Sequence, residues 1–332
     1  MGEYRGAETA TNFGDVNAEL DALSTGCALF DLTRRAKFFV TGPDRARWLN
    51  GMVTNNIRDL AAGHGSYNFV LNPQGRIQGD LYVFNRGDSL LIDTEACQRE
   101  KLREFLGKYI IMDDVEISSA DDKLTAIGLA GPLRADFLKA ISLPADLEPL
   151  HVCETKYQNL PISLMRADRG HFEIWMDPRN ATEIWSSMIA AGAKPVGSDA
   201  IELARIAAGI PRYGVDIRDR DLPQETGQSQ ALNFNKGCYV GQEIVERIHS
   251  RGAVHRSFTG FIFDGPLPTP GAKVQSGGKE VGELTSVASL PSRNGARMIG
   301  LGYIRREAAA AGAEMSVDGT KAKALSVPFK NL

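Results

Sequence analysis

One succession of elements occurs twice in this chain, and it restricts the possible fold more than any other feature. The apolar run Lys37-Phe38-Phe39-Val40-Thr41 stops at Gly42-Pro43, and Asp44-Arg45-Ala46-Arg47-Trp48-Leu49-Asn50 then reads as the start of a helix. Leu124-Thr125-Ala126-Ile127-Gly128-Leu129-Ala130 likewise stops at Gly131-Pro132, and Leu133-Arg134-Ala135-Asp136-Phe137-Leu138 follows in the same way. The parallel continues with Leu81-Tyr82-Val83-Phe84, a turn at Arg86-Gly87-Asp88, the strand Leu90-Leu91-Ile92-Asp93 and a helix from Glu95. Its counterpart is Ile162-Ser163-Leu164-Met165, a turn around Arg169-Gly170, the strand Phe172-Glu173-Ile174-Trp175-Met176 and a helix from Asn180. Apolar runs suit buried strands, Gly suits tight turns, and Pro is tolerated in the first helical turn, where an N–H has no partner. Two αβ units of one plan are predicted; chance recurrence of a common strand-turn-strand-helix order is the competing reading.

A further helix is predicted over 199–209, with Ser198 or Asp199 as N-cap, apolar residues at 201, 204 and 208, and Gly209 as terminator. An irregular stretch, 210–256, follows. Loops longer than about 15 residues are uncommon in compact domains and are often functional. From Ser257 the pattern changes to short apolar runs at 258–263, 279–287 and 298–304, separated by Gly and Pro, which argues a small antiparallel β-barrel or sandwich. The expected division is 1–256, made of two αβ lobes (approximately 1–120 and 121–256, with the chain crossing between them), and a C-terminal barrel, 257–332.

Composition narrows the function classes. The 332 residues carry 38 Lys and Arg against 41 Asp and Glu, a net charge of -3, so there is no general attraction to DNA or an anionic membrane, and RNA contact would be indirect or weak. The first residues are polar and acidic, with no secretory pattern, and no apolar run approaches the roughly 18 to 20 residues that span a bilayer. Met1-Gly2 fails as a myristoylation signal because the sixth residue is Gly6. Cys27, Cys97, Cys153 and Cys238 lie far apart with no C-x-x-C spacing, and the five histidines do not complete a ligand pattern with them, so no metal site is expected. A cytoplasmic protein in a reducing compartment is expected.

Two segments hold residues suited to chemistry. In Phe234-Asn235-Lys236-Gly237-Cys238-Tyr239-Val240-Gly241-Gln242-Glu243 a thiol stands between glycines, with Lys236 two residues before it. A nearby ammonium favours thiolate, the nucleophilic and metal-ligating form, and a helix starting near Gly241 would add the field of its free N–H groups. A buried structural cysteine beside turn glycines is the alternative. Arg247, His249, Arg251, His255 and Arg256 form either a solvated basic face or a cluster for an anionic tail. The second segment, 67–84, reads as a hairpin turning at Asn72-Pro73-Gln74-Gly75; Asp80 opens its second strand, either as a functional acid or as a solvent-exposed one.

These segments together resemble the glycine-cleavage T-protein-like superfamily over nearly the whole chain: LNGMVTNN from Leu49 to Asn56, the Leu71-Asn72-Pro73-x-Gly75 hairpin, Glu202-Leu203-Ala204-Arg205-Ile206, Ile210-Pro211-Arg212-Tyr213-Gly214-Val215-Asp216 and Leu222-Pro223-Gln224-Glu225. The Lys-Gly-Cys-Tyr-x-Gly-Gln-Glu octapeptide is similar to that of the YgfZ-like branch, described as folate-dependent factors in the upkeep of iron–sulfur enzymes, including those that modify tRNA. The resemblance implies an α+β, three-lobed fold of two αβ (ferredoxin-like) units plus a C-terminal antiparallel β-barrel around a central folate channel. It implies tetrahydrofolate as cofactor, with the pterin near Met52, Asp80, Leu81, Glu202 and Tyr213, and Arg256 near the domain junction. Partners implied are folate and iron–sulfur enzymes or assembly proteins, with Cys238 and Lys236 as the chemical pair and Cys238 acting as nucleophile, redox thiol or transient iron ligand. The alternative is a folate-dependent aminomethyltransferase or demethylase. Aminomethyltransferases carry two consecutive acids in the hairpin, the first assigned to the folate chemistry; here the pair is Gly79-Asp80, and a glycine supplies neither charge nor hydrogen bond.

Overall fold

A computed structural model describes residues 1–252, 254–291, 295–310 and 314–329. The chain divides into two compact units, one of Met1–Asn68, Asp80–Ile201 and Asn235–Tyr239, the other of Phe69–Gly79, Glu202–Phe234 and Val240–Leu332.

Two sheets carry the duplicated plan. The strand order of the first is Gly65–Leu71, Ile77–Asn85, Leu90–Glu95, Arg35–Thr41, Glu116–Ser119. The second runs Val152–Tyr157, Leu160–Arg166, Phe172–Met176, Thr125–Ala130, Ala28–Asp31, Lys194–Val196. The order is the same apart from one insertion, Ala28–Asp31, between the first strand of the repeat and the edge strand. Ala28–Asp31 is antiparallel to Thr125–Ala130 and Lys194–Val196 is parallel to it, so the edge strand keeps the direction of Glu116–Ser119 in the first copy. Helices Arg45–Met52 and Arg99–Gly107 belong to the first copy, Arg134–Ala140 and Ala181–Ala190 to the second.

The repeated Gly-Pro turns have a steric cause. Gly42 and Gly131 stand at φ +96° and +95°, and a Cβ there would lie 2.1 Å from the Asp114 carbonyl oxygen and 2.4 Å from that of Gly26. Only glycine combines the left-handed backbone with so close an approach. Between the sheets, Phe84 meets Trp175 edge-on at 4.8 Å, in a core with Leu91, Phe30, Ala126 and Met165. This core also encloses charge. Arg35 bonds Asp93 (2.9 Å) and Glu95 (2.7 Å), while the Trp175 indole N–H and His171 contact Glu173 at 2.8 and 3.2 Å. Buried ions of this kind persist because each is paired.

The predicted helix at 199–209 is Ser198–Ala207, ending before Gly209 at φ +68°. The predicted N-cap is corrected: Ser198 is already helical, and the Gly197 N–H before it is satisfied by the carboxylate of Glu19 at 2.7 Å, a partner 178 residues away. The stretch 210–256 is less irregular than its composition suggests. It contains short 3-10 turns at Pro223–Glu225 and Ser229–Ala231 and the helix Gln242–Arg251, bounded by left-handed Gly241 and Gly252.

The C-terminal strands close into a barrel in the order Arg256–Asp264, Arg297–Arg305, Lys279–Leu290, Lys273–Ser276, Met315–Val317, Thr320–Leu325. Pairing of Gly260 with Leu325 through Asp264 with Lys321 completes the ring, which leaves no open edge for another strand to pair with. Phe261, Val274, Leu284, Ile304 and Val317 fill its interior.

Candidate functional site

In the first unit, the five-residue segment Asn235–Tyr239 presents both members of the predicted chemical pair. Cys238 is exposed. Lys236 is 7% exposed, and its ammonium donates to the carbonyl oxygens of Asn50 (2.7 Å), Val53 (2.7 Å) and Asn55. Burial, then the charge of Arg58, pulls its pKa down to about 7, against which the three carbonyls favour the charged form. The three hydrogen-bond donors of Lys236 are directed to backbone oxygens and not to the thiol. A buried charge must find acceptors, and the last carbonyls of a helix have no donor within the helix itself. Arg58 lies alongside, because a Cβ on Gly237 would be 3.1 Å from its Nη2. Cys27 differs from Cys238 in being buried, with its thiol pushed up to about 11 by burial.

Asp80 is not the solvent-exposed acid that its position suggested. Tyr67 donates its hydroxyl to Oδ2 (2.7 Å), Gln98 donates its amide to Oδ1 (2.7 Å), and the Asp80 N–H returns a bond to Gln98 Oε1 (3.0 Å). The Tyr67 hydroxyl is pushed well up by burial and by the Asp80 carboxylate. Its strand begins at Ile77, so Asp80 is an interior residue of it and not the first. Side chains alternate along a strand, so Asp80 shares a face with Tyr82 while position 79 lies on the face of Ile77, Leu81 and Val83. Asp80 therefore does not stand in for an acid at 79. Met52 and Leu81 are nearly enclosed, at 4% and 1% exposure.

In the second unit, Glu202 accepts from Arg205 Nη2 on Oε1 (2.7 Å) and from Arg205 Nε (3.1 Å) and Arg212 Nη1 (3.2 Å) on Oε2. Arg205 is the hub, a residue that sequence reasoning passed over. It also donates to Asp216 Oδ2 (2.7 Å), to the Ile210 carbonyl and to Ser286 Oγ (2.9 Å). The barrel strand Lys279–Leu290 slips register between Leu284 and Ser286, and both Thr285 and Ser286 donate their hydroxyls to Asp216. A bulge re-aims neighbouring side chains in this way. The Glu202-x-x-Arg205 spacing, which places both on one helix face, was the available signal. The Tyr213 hydroxyl shares its one proton between two acceptors, the Gln78 carbonyl (2.7 Å) and Asp219. Arg256 bonds Asp221 (2.6 Å) and Glu225 (3.1 Å) and lies over the Tyr303 ring at 4.6 Å. Its guanidinium is thus committed to internal carboxylates.

The motifs of the second unit interlock. Gly241, the N-cap of Gln242–Arg251, stands at φ +82°, and a Cβ there would lie 2.5 Å from the Asn72 carbonyl. Gly75, in the hairpin turn, faces Ile244 of that helix, 2.7 Å from a Cβ. Gln224 donates to the Val245 carbonyl (2.8 Å), and Phe234 stacks on His249 at 3.8 Å. His249 is accordingly a packing group as well as part of the basic run.

Relatives agree with this architecture. Residues 1–236 match the GCVT N-terminal domain, and residues 254–328 match the CAF17 C-terminal beta-barrel domain. A chloroplastic protein from Arabidopsis thaliana, named as a transferase, is 29% identical over 313 residues, 92% of this chain and 72% of that one. An aminomethyltransferase from Rubrobacter xylanophilus is 28% identical over 313 residues, 92% of this chain and 83% of its own. The crystal structure of glycine cleavage system aminomethyltransferase T from Bartonella henselae matches with a TM-score of 0.87, at 20% identity, over 98% of this chain and 92% of that one, a likeness of fold. With a GCVT N-terminal domain spanning both αβ copies and a closed six-stranded barrel following it in sequence, the chain belongs to the glycine-cleavage T-protein family, with a C-terminal barrel of the CAF17 type.

Proposed function

We propose that this protein is a tetrahydrofolate-binding accessory factor for the assembly or repair of iron–sulfur proteins, tRNA-modifying enzymes among them, and that the Cys238 thiol carries its distinctive chemistry. The observation that carries the proposal is the exposed thiol itself, held on a short segment whose neighbouring lysine is locked into the protein interior. The CAF17-type barrel supports it, as does Gly79, which leaves the hairpin without the acid that aminomethyl transfer uses. All four cysteines are free thiols, which suits a cytoplasmic home, although the Arabidopsis relative is chloroplastic.

The residues present suit a reduced folate in their chemistry. A pterin edge offers N–H donors and calls for a carboxylate, and Glu202 keeps 24% of its side chain exposed while two arginines hold it in place. Tyr213, in the same unit, would add a ring. Arg256, tied to Asp221 and Glu225, would brace the surrounding structure instead of gripping the ligand. Bound tetrahydrofolate would supply a one-carbon carrier, and the protein's own groups would hold it and present the thiol.

The test is Cys238→Ser in a deletion strain. Folate binding by calorimetry should be retained while recovery of iron–sulfur enzyme activity is lost; full recovery by the serine variant refutes the proposal. The second reading, aminomethyl transfer, rests on the name of the Rubrobacter relative and makes its own demand. Incubation with tetrahydrofolate and an aminomethyl-loaded lipoyl carrier would have to yield methylenetetrahydrofolate at an enzyme-like rate.

A further inference from the structure

Lys236 is the buried titratable group that the proposed chemistry leaves without a task. Its three acceptors all come from one stretch, the end of helix Arg45–Met52 and the turn that follows it. Val53 N–H closes the last helical bond, to the Leu49 carbonyl at 3.2 Å, so the carbonyls after Leu49 need donors from elsewhere. Within the same stretch, the Asn50 side chain accepts the Ile57 N–H (2.9 Å), and the Asn68 side chain accepts the Asn55 N–H (2.9 Å). The turn is thereby rolled into a bowl whose rim is three inward-facing carbonyl oxygens. A helix C-terminus favours a cation, and an ammonium with three donors matches three acceptors. Lys236 arrives there from 186 residues along the chain from Asn50.

What this lysine holds is narrow. The residues before Asn235 and after Tyr239 group with the second unit, and only the five between them group with the first. Within those five, Lys236 is buried, Tyr239 is buried with its ring 5.0 Å from the Lys236 ammonium, and Cys238 is exposed. Gly237, between the lysine and the cysteine, lets the Arg58 guanidinium approach the backbone. The segment is therefore a strap with one anchored side chain on either side of an outward-facing thiol.

We propose that Lys236 is a positioning residue: its ammonium, seated in the carbonyl bowl of residues 50–55, pins the Cys238 strap, and it acts on the thiol through the backbone and not by its charge. The proposal rests on the reading of Cys238 as the working thiol, but its physical content can be tested apart from that reading. In the full-length protein, Lys236→Met removes the three donors and keeps most of the side chain's bulk; Lys236→Gln, which keeps amide donors without charge, is the second variant should the first not fold. Two quantities are read for each. One is the pH profile of Cys238 alkylation by iodoacetamide, followed on the Cys238 peptide by mass spectrometry. The other is amide hydrogen exchange in residues 53–58 and 235–239.

The expected result is an unchanged midpoint of the alkylation profile together with exchange faster by at least roughly tenfold in both segments, tenfold being the scale of a single one of the three lost charge-assisted hydrogen bonds. An upward move of the midpoint would mean that Lys236 stabilises the thiolate directly, and it would overturn the proposal. Unchanged exchange would overturn it equally, since the strap would then not depend on the pin. Cys238→Ser, assayed in the deletion strain, separates the two levels. Its full recovery of iron–sulfur enzyme activity would remove the role of the thiol, while the exchange data would still decide whether Lys236 pins the strap.

Discussion

Replacing Gly241 by alanine tests whether the octapeptide and the hairpin turn are one packed unit. Gly241 stands at φ +82°, and its missing Cβ would sit 2.5 Å from the Asn72 carbonyl oxygen and 3.0 Å from the Leu71 Cβ. Two costs are expected. A left-handed conformation costs an alanine about 1–2 kcal/mol, and forcing a methyl against backbone that cannot swing aside costs about 1–3 kcal/mol more. Gly252→Ala is the control, because Gly252 closes the same helix at φ +68° and, among the described residues, nothing lies within 4 Å of its would-be Cβ. It carries the conformational cost without the clash, and the loss of unfolded-state freedom common to any Gly-to-Ala change cancels between the two. The difference between them should therefore be about 1–3 kcal/mol. Urea denaturation followed by circular dichroism gives the global value. Hydrogen exchange of the Gly75 N–H, which donates to the Asn72 carbonyl at 2.9 Å, gives the local one without assuming two-state unfolding. Exchange at Gly75 should accelerate in Gly241→Ala and not in Gly252→Ala. Equal effects of the two variants, within about 0.5 kcal/mol, would refute the interlock.

Arg205→Met should destabilise the protein by about 3–5 kcal/mol in the same urea assay, because it leaves the fully buried Asp216 carboxylate without its counter-charge; a loss under about 1 kcal/mol would mean that the network is not a structural hub. Glu173 is held down to about 2, where burial alone would raise it, because His171 and then Arg35 and Lys37 favour its charged form, against an ordinary 4.5. Its stabilising contribution is accordingly complete above 4.5 and lost as pH falls from there through about 2. Glu173 should thus add a rise of stability with pH across that window, and Glu173→Gln should remove that part of the slope; an unchanged slope would contradict the assignment. Peptide-resolved alkylation near neutral pH should modify Cys238 well before Cys27, which is buried and has its thiol pushed up to about 11. Equal rates would show that Cys27 is not enclosed.

The αβ duplication is legible in the amino-acid sequence because its causes are local. Gly42 and Gly131 already require glycine by their own backbone angles, before the approach of the distant Asp114 and Gly26 carbonyls is counted, and the strands answer to runs of side chains that a sequence displays directly. The hairpin turn at Asn72 to Gly75 and the short Gly-separated runs of the barrel are legible for the same reason. The roles of the charged residues are not local, and there the tertiary structure decided. Asp80 looked exposed until Gln98 and Tyr67 met it, and Arg256 looked available for a ligand until Asp221 and Glu225 took its donors. Lys236 is the clearest case. A sequence shows which side chains could donate, but every residue carries a carbonyl, so nothing in the string of letters marks the oxygens of Asn50, Val53 and Asn55 as the three that an ammonium far along the chain will find. Only folding brings the lysine to those oxygens at and just beyond a helix end, and the proposed pinning of the Cys238 segment rests on that encounter.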